Sequence, residues 1–557
     1  MKATVTPFLR FLQGPKQFFV PIFQRRYSWE RKHCEQLWYD VLRLGENDEM
    51  ESHFLGSIVY MEPGVQNVSV VSELLVIDGQ QRLTTISLLL LALSRSIEEH
   101  SIEIGISQRR LLNYYLFNAD EEDDLRYKQL LTRRDKETLI HLLENRELPA
   151  NSSPLLVENY HFFKSQLSYD NLETVYTGIQ KLRIVDITLD RNIDNPQLIF
   201  ESLNSTGLSL SQSDLIRNYV LMGQEPDFQN RLYEEYWFPM EQRFGNEYTK
   251  RFDRFIRDYL TLKTRQIPNV KSVYEKFKIH IPSTDDSEML ENNIGDISRY
   301  AKHYTSIALL QEEDPELQKC FKNIQDLRVE VAFPFLLEVY EDYTRRKIEK
   351  AEIIEILRLI ESYVFRRAVC GIPTNSLNKT FASLMTEVDK ENYLKNLKIA
   401  FSKMRSYRRY PSDIEFKQSL LIRDVYNFDR CNYLLRNLEN YGRNDPIGDE
   451  NHTIEHIMPQ NTNLSKAWQD ELGESFQEIH EKYLHRIGNL TLIATRDNPA
   501  LSDLPFSEKR DMDGGFRDSP LRLNRSLART PQWEENAILA RAEELAEKAL
   551  KIWISPQ

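Results

Sequence analysis

The chain has few of the residues that staple or punctuate a fold. Its four cysteines, Cys34, Cys320, Cys370 and Cys431, lie far apart and form no Cys-x-x-Cys pair. That argues against a zinc ribbon and against a disulfide framework. Eighteen glycines and 22 prolines in 557 residues are too few for a collagen-like or low-complexity linker protein. Long hydrophobic runs are missing too. The longest apolar stretch, Ile86 to Leu93, falls well short of the ~20 residues a membrane span needs. Basic residues are not in excess: 72 Lys and Arg stand against 85 Asp and Glu, a net charge of -13. No global positive field marks a nucleic-acid binder, so a DNA-binding face has to be a local patch. The opening MKATVTPFLRFLQGPKQFF is interrupted by Pro, Gly, Gln and Lys before an apolar segment forms. It does not read as a signal peptide, and a cytoplasmic location without membrane attachment is expected. Neither a G-x-x-x-x-G-K-[ST] loop nor a G-x-S-x-G elbow occurs, which disfavours a P-loop motor and an α/β-hydrolase.

What is present describes a globular protein. Hydrophobic residues make up 41% and charged residues 28%, with 27 Tyr, 27 Phe and 6 Trp. Global disorder is excluded, and the length gives room for about three domains at ~100–200 residues each. The first part mixes strands and helices. HFLGSIVYM (53–61), ELLVIDG (73–79) and KLRIVDITLD (181–190) read as strands, and LTTISLLLLALSRSIEE (83–99) as a buried helix with Thr84 or Thr85 near its start. Residues 107–170 read as charged helices. From about 195 the pattern is helical: PQLIFESLN (196–204), a turn at 205–207, then SQSDLIRNYVLMG (211–223), where Ser211 and Asp214 stand at capping-box spacing. Residues 226–400 carry repeated 3.6-period segments, among them 328–343 and 350–369. The chain closes on a helix that Thr530 is expected to cap, with Pro531 at its first position and Glu534 and Glu535 complementing its dipole.

The sharpest chemical signal lies in 452–512. HTIEHIMPQN is followed by YLHRIGNLTLIATRDNPALSDLPFSEK, which sets His456, Asn489 and Asn498 in order. Phosphodiester hydrolysis needs a base to activate water and a cation to neutralise the phosphate. Imidazole suits the base because its ordinary pKa lies near neutrality. The carboxylate just before it can reach a metal, and a downstream Asn offers the oxygen donor that Mg²⁺ prefers. Taken singly, each residue reads as structural: a hydrogen-bonded His, a turn Asn.

A second cluster is VIDGQQRLTT (76–85). It sets Asp78 and Gly79 at a strand end, then Gln80, Gln81 and Arg82, then a helix start. Helix N-terminal amides favour anions and Arg binds phosphate in a fork. Asp78 suits a metal or a ribose. VPIFQRRYSWE (20–30) adds Gln24, Arg25 and aromatics of the kind that stack on bases. A third feature is local basicity. Residues 401–443 hold nine Lys or Arg against five Asp or Glu, with Arg405, Arg408 and Arg409 interleaved with Tyr407 and Tyr410. Such a stretch serves a DNA backbone or is a solvated helix face.

Two resemblances tie these motifs together. EHIMPQ (455–460), HRIGNLTL (485–492) and the block Asn498, Leu501, Ser502, Pro505, Phe506 and Lys509 resemble the HNH nuclease domain of GmrD-type proteins, a ββα-metal finger. The resemblance implies His456 as general base, Glu455 and Asn498 as metal ligands, Asn489 as the residue that holds the His loop, and Lys509 as a phosphate contact. Many HNH enzymes carry Asp where this chain has Glu455. FQR-x-YSWE (23–30), FLGSI (54–58), DGQQRLTT (78–85), FESLNSTG (200–207) and DLIRN (214–218) resemble the GmrS-like N-terminal domain, of ParB/sulfiredoxin-like fold. In that family the DGQQR motif is implicated in nucleotide binding and hydrolysis. Arg26 stands where many members have Pro. The matches cover roughly 10–220 and 401–557.

Together they resemble single-chain GmrSD-type, modification-dependent (type IV) restriction endonucleases. The expected fold is α+β and predominantly helical. Residues 1–222 would form a nucleotide-binding and sensing domain, 223–400 a helical linker, and 401–557 the nuclease domain. The expected function is a nucleotide-regulated, Mg²⁺-assisted DNA endonuclease of anti-phage defence. Its expected partners are double-stranded, modified phage DNA and a nucleoside triphosphate (GTP, ATP, UTP or CTP), with a homo-oligomer left open. The alternatives are a ParB-like DNA-binding module with an inert HNH remnant, and an NTPase-gated nickase toxin.

Overall fold

The computed structural model describes residues 1–62, 71–190, 194, 196–204, 210–448, 451–495 and 501–556. It is a mixed α+β, helix-rich structure. Two compact units emerge: Met1–Gln242 with Lys271–Gly295, and Arg243–Val270 with Asp296–Gln557. This division does not coincide with the sequence-based boundaries after 222 and after 400.

The first unit is built on one mixed sheet. Its strands are β1 (Lys2–Pro7), β2 (Lys16–Phe19), β3 (His53–Met61), β4 (Ser72–Asp78), β5 (Gln129–Leu130) and β6 (Leu182–Leu189), in spatial order β1-β6-β3-β4-β2-β5. β1 runs antiparallel to β6 and β3 antiparallel to β4, while β3 pairs parallel with β6, and β2 parallel with β4 and β5. Helix α1 (Arg31–Glu46) follows the 20–30 loop, and α2 (Gln80–His100) leaves the end of β4. Every residue from Leu88 to Leu93 is sealed from solvent, which makes α2 the central helix of this core. Its apolar run is therefore a core signature, not a membrane one. Among the described residues no helix is long and apolar enough to cross a membrane.

The start of α2 differs from the sequence reading. It begins at Gln80, not at the threonines, and Gly79 sits before it with φ 92°. A Cβ at Gly79 would meet the Ser57 carbonyl oxygen at 2.8 Å and Ile58 Cα at 3.0 Å. Both the left-handed backbone and the close approach of β3 therefore require glycine. Thr84 and Thr85 bond back to the carbonyls of Gln80 and Gln81 inside the helix instead. Further on, α3 (Pro196–Asn204) and α4 (Gln212–Leu221) fall where periodicity sets them, and Ser211 Oγ accepts the Asp214 amide at 3.1 Å as its spacing predicts. The turn expected at 205–207 lies outside the described residues.

The second unit is mainly helical. It includes α5 (Tyr248–Thr264), α6 (Phe333–Thr344) and α7 (Lys350–Val369), the last two close to the periodic segments of the sequence. Near its C-terminal end stand β7 (His452–His456), β8 (Leu490–Ala494), α8 (Phe506–Asp511) and α9 (Glu535–Ile552). The start expected for α9 is corrected. Thr530 does not cap it; the helix begins at Glu535 after an extended stretch. The cause is Trp533, buried at 1% exposure, whose backbone N–H donates to Glu471 and whose indole donates to Asn489. A helix begun at Pro531 would turn that indole out of its pocket.

Candidate active site

β7 and β8 form an antiparallel pair in which Glu455 faces Thr491 and His456 faces Leu490. The chain leaves β7 through Ile457 and Met458, both fully buried, and is held there by Asn489. The Asn489 side-chain oxygen accepts from the Met458 amide (2.7 Å) and from the Trp533 indole (3.1 Å). Its amide nitrogen donates to the carbonyls of Met458 (3.0 Å) and Leu484 (2.9 Å). This side chain is sealed from solvent and its hydrogen-bonding capacity is filled. Arg541 on α9 grips the same turn from the other side, donating to the carbonyls of Gly488 (3.2 Å) and Leu490 (2.9 Å). Burial pulls the Arg541 pKa down to about 10. Gly488 permits the approach: a Cβ there would lie 2.3 Å from the Ile538 carbonyl oxygen.

Glu455 and Lys509 make a buried ion pair, Nζ to Oε1 at 2.6 Å, and the same ammonium donates to the His456 carbonyl at 2.9 Å. Burial raises the Glu455 pKa and lowers that of Lys509, while the attraction between them opposes both shifts. Lys509 is 0% exposed. In this structure it braces the carboxylate and the end of β7. Asp503 adds negative potential at Glu455 and accepts from Asn461 at 2.8 Å.

The His456 ring has a partner at each nitrogen. Nε2 lies 3.1 Å from His485 Nδ1, and Nδ1 lies 3.0 Å from the amide nitrogen of Gln460. The Tyr426 ring stacks on His485 (12°, 5.2 Å between centroids) and meets His456 edge-on at 4.4 Å. Burial above all, with electrostatic coupling to its neighbours including Lys509, pushes the His456 pKa down to about 3, so its imidazole is neutral at physiological pH.

The DGQQR segment makes a hydrogen-bonded clamp. Gln80 Nε2 donates to the Arg25 carbonyl (3.3 Å), Gln81 Nε2 to the Arg26 carbonyl (3.2 Å), and the Ser28 amide donates to Gln81 Oε1 (2.8 Å). Gln24 Nε2 donates to the Ile77 carbonyl at 2.7 Å. Together they fasten the 20–30 loop to the β4–α2 junction. Arg82 donates to the Ser57 carbonyl at 2.7 Å and lies 3.9 Å from Asp78. Burial lowers the Arg25 pKa, and the charges of Asp214 and Asp78 oppose that shift. Arg217 joins the group from α4: it donates to the Phe23 carbonyl (3.0 Å) and pairs with Asp214 (2.9 Å) and Glu241 (2.7 Å). The cavity among Arg25, Tyr27, Gln80, Gln81 and Asp135 measures about 10 Å³. That is room for one water, whereas a nucleotide-sized ligand needs a pocket of roughly 300 Å³ or more.

Two family models match these regions. The GmrSD restriction endonuclease N-terminal domain matches residues 8–221, and the GmrSD restriction endonucleases C-terminal domain matches 410–548. The chain belongs to the GmrSD restriction endonuclease family. A search of functionally curated proteins returns no match. The two matches span the DGQQR clamp and the His456 cluster, and family membership assigns restriction-endonuclease-like activity on nucleic acid in general.

Seen as parts of a GmrSD protein, the remaining sequence-predicted residues divide. Asn498 lies outside the described residues. Arg405 is exposed and donates to the carbonyls of Ser402 and Met404. Arg408 donates to the hydroxyls of Thr380 and Ser383, and Arg409 pairs with Glu415 at 2.6 Å. Arg408 is thus tied to a neighbouring helix, and Arg409 is ion-paired while its side chain stays 42% exposed. Among the described residues no group of three or more His, Cys, Asp or Glu is placed to hold a metal ion. Glu455 does offer the hard oxygen that Mg²⁺ favours, with Lys509 offsetting its charge. Sequence reading passed over Tyr426, Trp533 and Arg541, and took in His485 only as part of HRIGNLTL. His485 stands beside the GN pair in HRIGN; nothing local marks the other three.

Proposed function

We propose that this chain is a DNA endonuclease of modification-dependent restriction, with His456 as its general base. The observation that carries the reading is the His456 cluster: a neutral imidazole at the end of β7, its loop clamped by Asn489, beside a carboxylate braced by Lys509. The run from β7 through two short helices, Lys466–Leu472 and Phe476–Tyr483, to β8 and then α8 supports the ββα-metal finger reading, and the mixed sheet of the first unit supports the ParB-like one.

In the reaction, His456 takes a proton from a water molecule. The water oxygen bonds to phosphorus and the P–O bond to the departing sugar oxygen breaks; that oxygen takes a proton from solvent, leaving a phosphomonoester end and a hydroxyl end. Gln460 is exposed and so is the replaceable neighbour of His456. Glu455 and Asn498 are the residues that would hold Mg²⁺, which supplies charge neutralisation at the phosphate. Asn489 and Lys509 keep His456 and Glu455 in place. Arg405 is an exposed residue of the basic segment that could meet a DNA backbone.

Nucleotide regulation is the second part of the reading. Two arginines, Arg25 and Arg82, stand with Asp78 at the N-terminus of α2, a setting that suits phosphate. The water-sized cavity does not admit a nucleotide while Gln80 and Gln81 hold the 20–30 loop. Binding there requires the clamp to open, and no hydrolytic step is assigned.

The test is cleavage in Mg²⁺ of unmodified DNA and of phage DNA with modified cytosines or phosphorothioates, with and without each NTP. Cutting confined to modified DNA, and altered by one NTP, is expected. Equal cutting of both DNAs sinks the modification reading, and modification-selective binding without cutting favours the inert-remnant alternative.

A further inference from the structure

We infer that His485 is a positioning residue for His456, holding its ring in the tautomer whose Nδ1 is the basic nitrogen. The inference deepens the proposed function and rests on His456 being the base.

The hydrogen-bond pattern sets the tautomer. Gln460 presents an amide N–H, a donor, 3.0 Å from His456 Nδ1. Nδ1 is then the acceptor, and a neutral imidazole carries its single proton on Nε2. His485 Nδ1 lies 3.1 Å from that Nε2 and accepts the proton's hydrogen bond. The two sides of the ring differ in permanence. The Nδ1 side is covered by an exposed side chain that water or substrate can displace. The Nε2 side is closed by a residue fixed twice over: the Val425 amide donates to the His485 carbonyl at 2.8 Å, and the Tyr426 ring lies flat on the His485 imidazole. Without an acceptor at 485, His456 Nε2–H has no partner and the ring is free to place its proton on Nδ1. There it would block proton abstraction, since only an unprotonated nitrogen serves as base. A wrong tautomer is costly in a related setting: altering the residue that holds the imidazole of a serine-protease triad lowers kcat by roughly 10⁴.

Two substitutions separate positioning from packing. His485→Asn keeps an acceptor oxygen near the place of Nδ1 and loses the ring. His485→Phe keeps the ring on Tyr426 and loses the acceptor. Single-turnover cleavage at saturating DNA is measured for both, beside wild type and His456→Ala, with DNA affinity and melting temperature recorded. Expected is a fall on the order of 10²–10⁴ for His485→Phe, with affinity and melting temperature near wild type, and a fall of no more than about tenfold for His485→Asn. Wild-type cleavage by His485→Phe, or a larger loss in His485→Asn than in His485→Phe, overturns the inference. Failure of the underlying reading looks different: His456→Ala then cuts like wild type, or wild type does not cut. A second readout, the ¹⁵N NMR signals of labelled histidine, assigns the His456 proton in the uncleaving protein as well. A proton on Nε2 in wild type that is lost from it in His485→Phe supports the inference, and a proton on Nδ1 in wild type refutes it.

Discussion

Lys509 and Glu455 show how much one residue's burial decides. A lysine sealed from solvent persists only because its ammonium meets a carboxylate and a carbonyl. Removing one partner leaves the other charge buried and alone. Lys509→Met is expected to cost about 3–5 kcal/mol, read as a lower midpoint in denaturant titration, together with loss of cleavage. The double variant Lys509→Met/Glu455→Met is expected to regain most of the stability and none of the cleavage. Recovery of cleavage in the double variant would remove Glu455 from the active site. A different burial effect operates at Asp258 on α5. Burial lifts its carboxyl to about 7, against the opposing charges of Arg254 and Arg257. The folded chain thus holds a proton that the unfolded chain releases near pH ~4. This group's favourable contribution is complete below that point and is lost as pH rises through about 7. Asp258→Asn is therefore expected to gain in melting temperature over wild type as pH is raised from about 5 to about 8. An advantage that shrinks over that range contradicts the account.

At the scale of elements, α2 depends on Gly79. Gly79→Ala meets both a left-handed backbone and the Ser57 carbonyl, and is expected to cost about 2 kcal/mol or more and to loosen the 20–30 loop. Equal stability of the variant and wild type in a thermal melt would show that the β4–α2 junction has another way to fold. The elements also show what the sequence could reveal. Strands at 53–61 and 182–189 were legible from their Gly and polar bounds and β-branched residues, and helices such as 350–369 from 3.6-residue periodicity. Glu455, His456 and Asn489 could be singled out because their motifs are short and contiguous, whereas Gln460 stood only as the end of EHIMPQ. His485 was seen without its role, which needs the 3.1 Å contact to His456. Tyr426, Trp533 and Arg541 were not seen, because they reach the site from distant parts of the chain. The false start of α9 has the same origin: local capping signals at Thr530 and Pro531 yield to the tertiary demand of the Trp533 indole. The glutamines of DGQQR read as ligand contacts, and their hold on the 20–30 loop was not legible because that loop lies some 55 residues away in the chain.

For the whole molecule, the chain crosses between its two compact units more than once, since 271–295 returns to the first unit after 243–270 has entered the second. Residues 223–242 and 271–295 therefore complete the N-terminal unit. Glu241 pairs with the buried Arg217, and Tyr274 and Phe277 pack edge-on against Tyr219 of α4. A fragment of residues 1–222 is expected to lack a cooperative melt, and one of residues 1–295 to show it. A cooperative 1–222 fragment would favour the sequence-based boundary instead. The claim on which all else depends is that His456 performs the chemistry. The most direct measurement is single-turnover cleavage of modified phage DNA in Mg²⁺ by wild type and by His456→Ala of matching melting temperature. The account predicts cutting by wild type and none by His456→Ala; equal rates would contradict it.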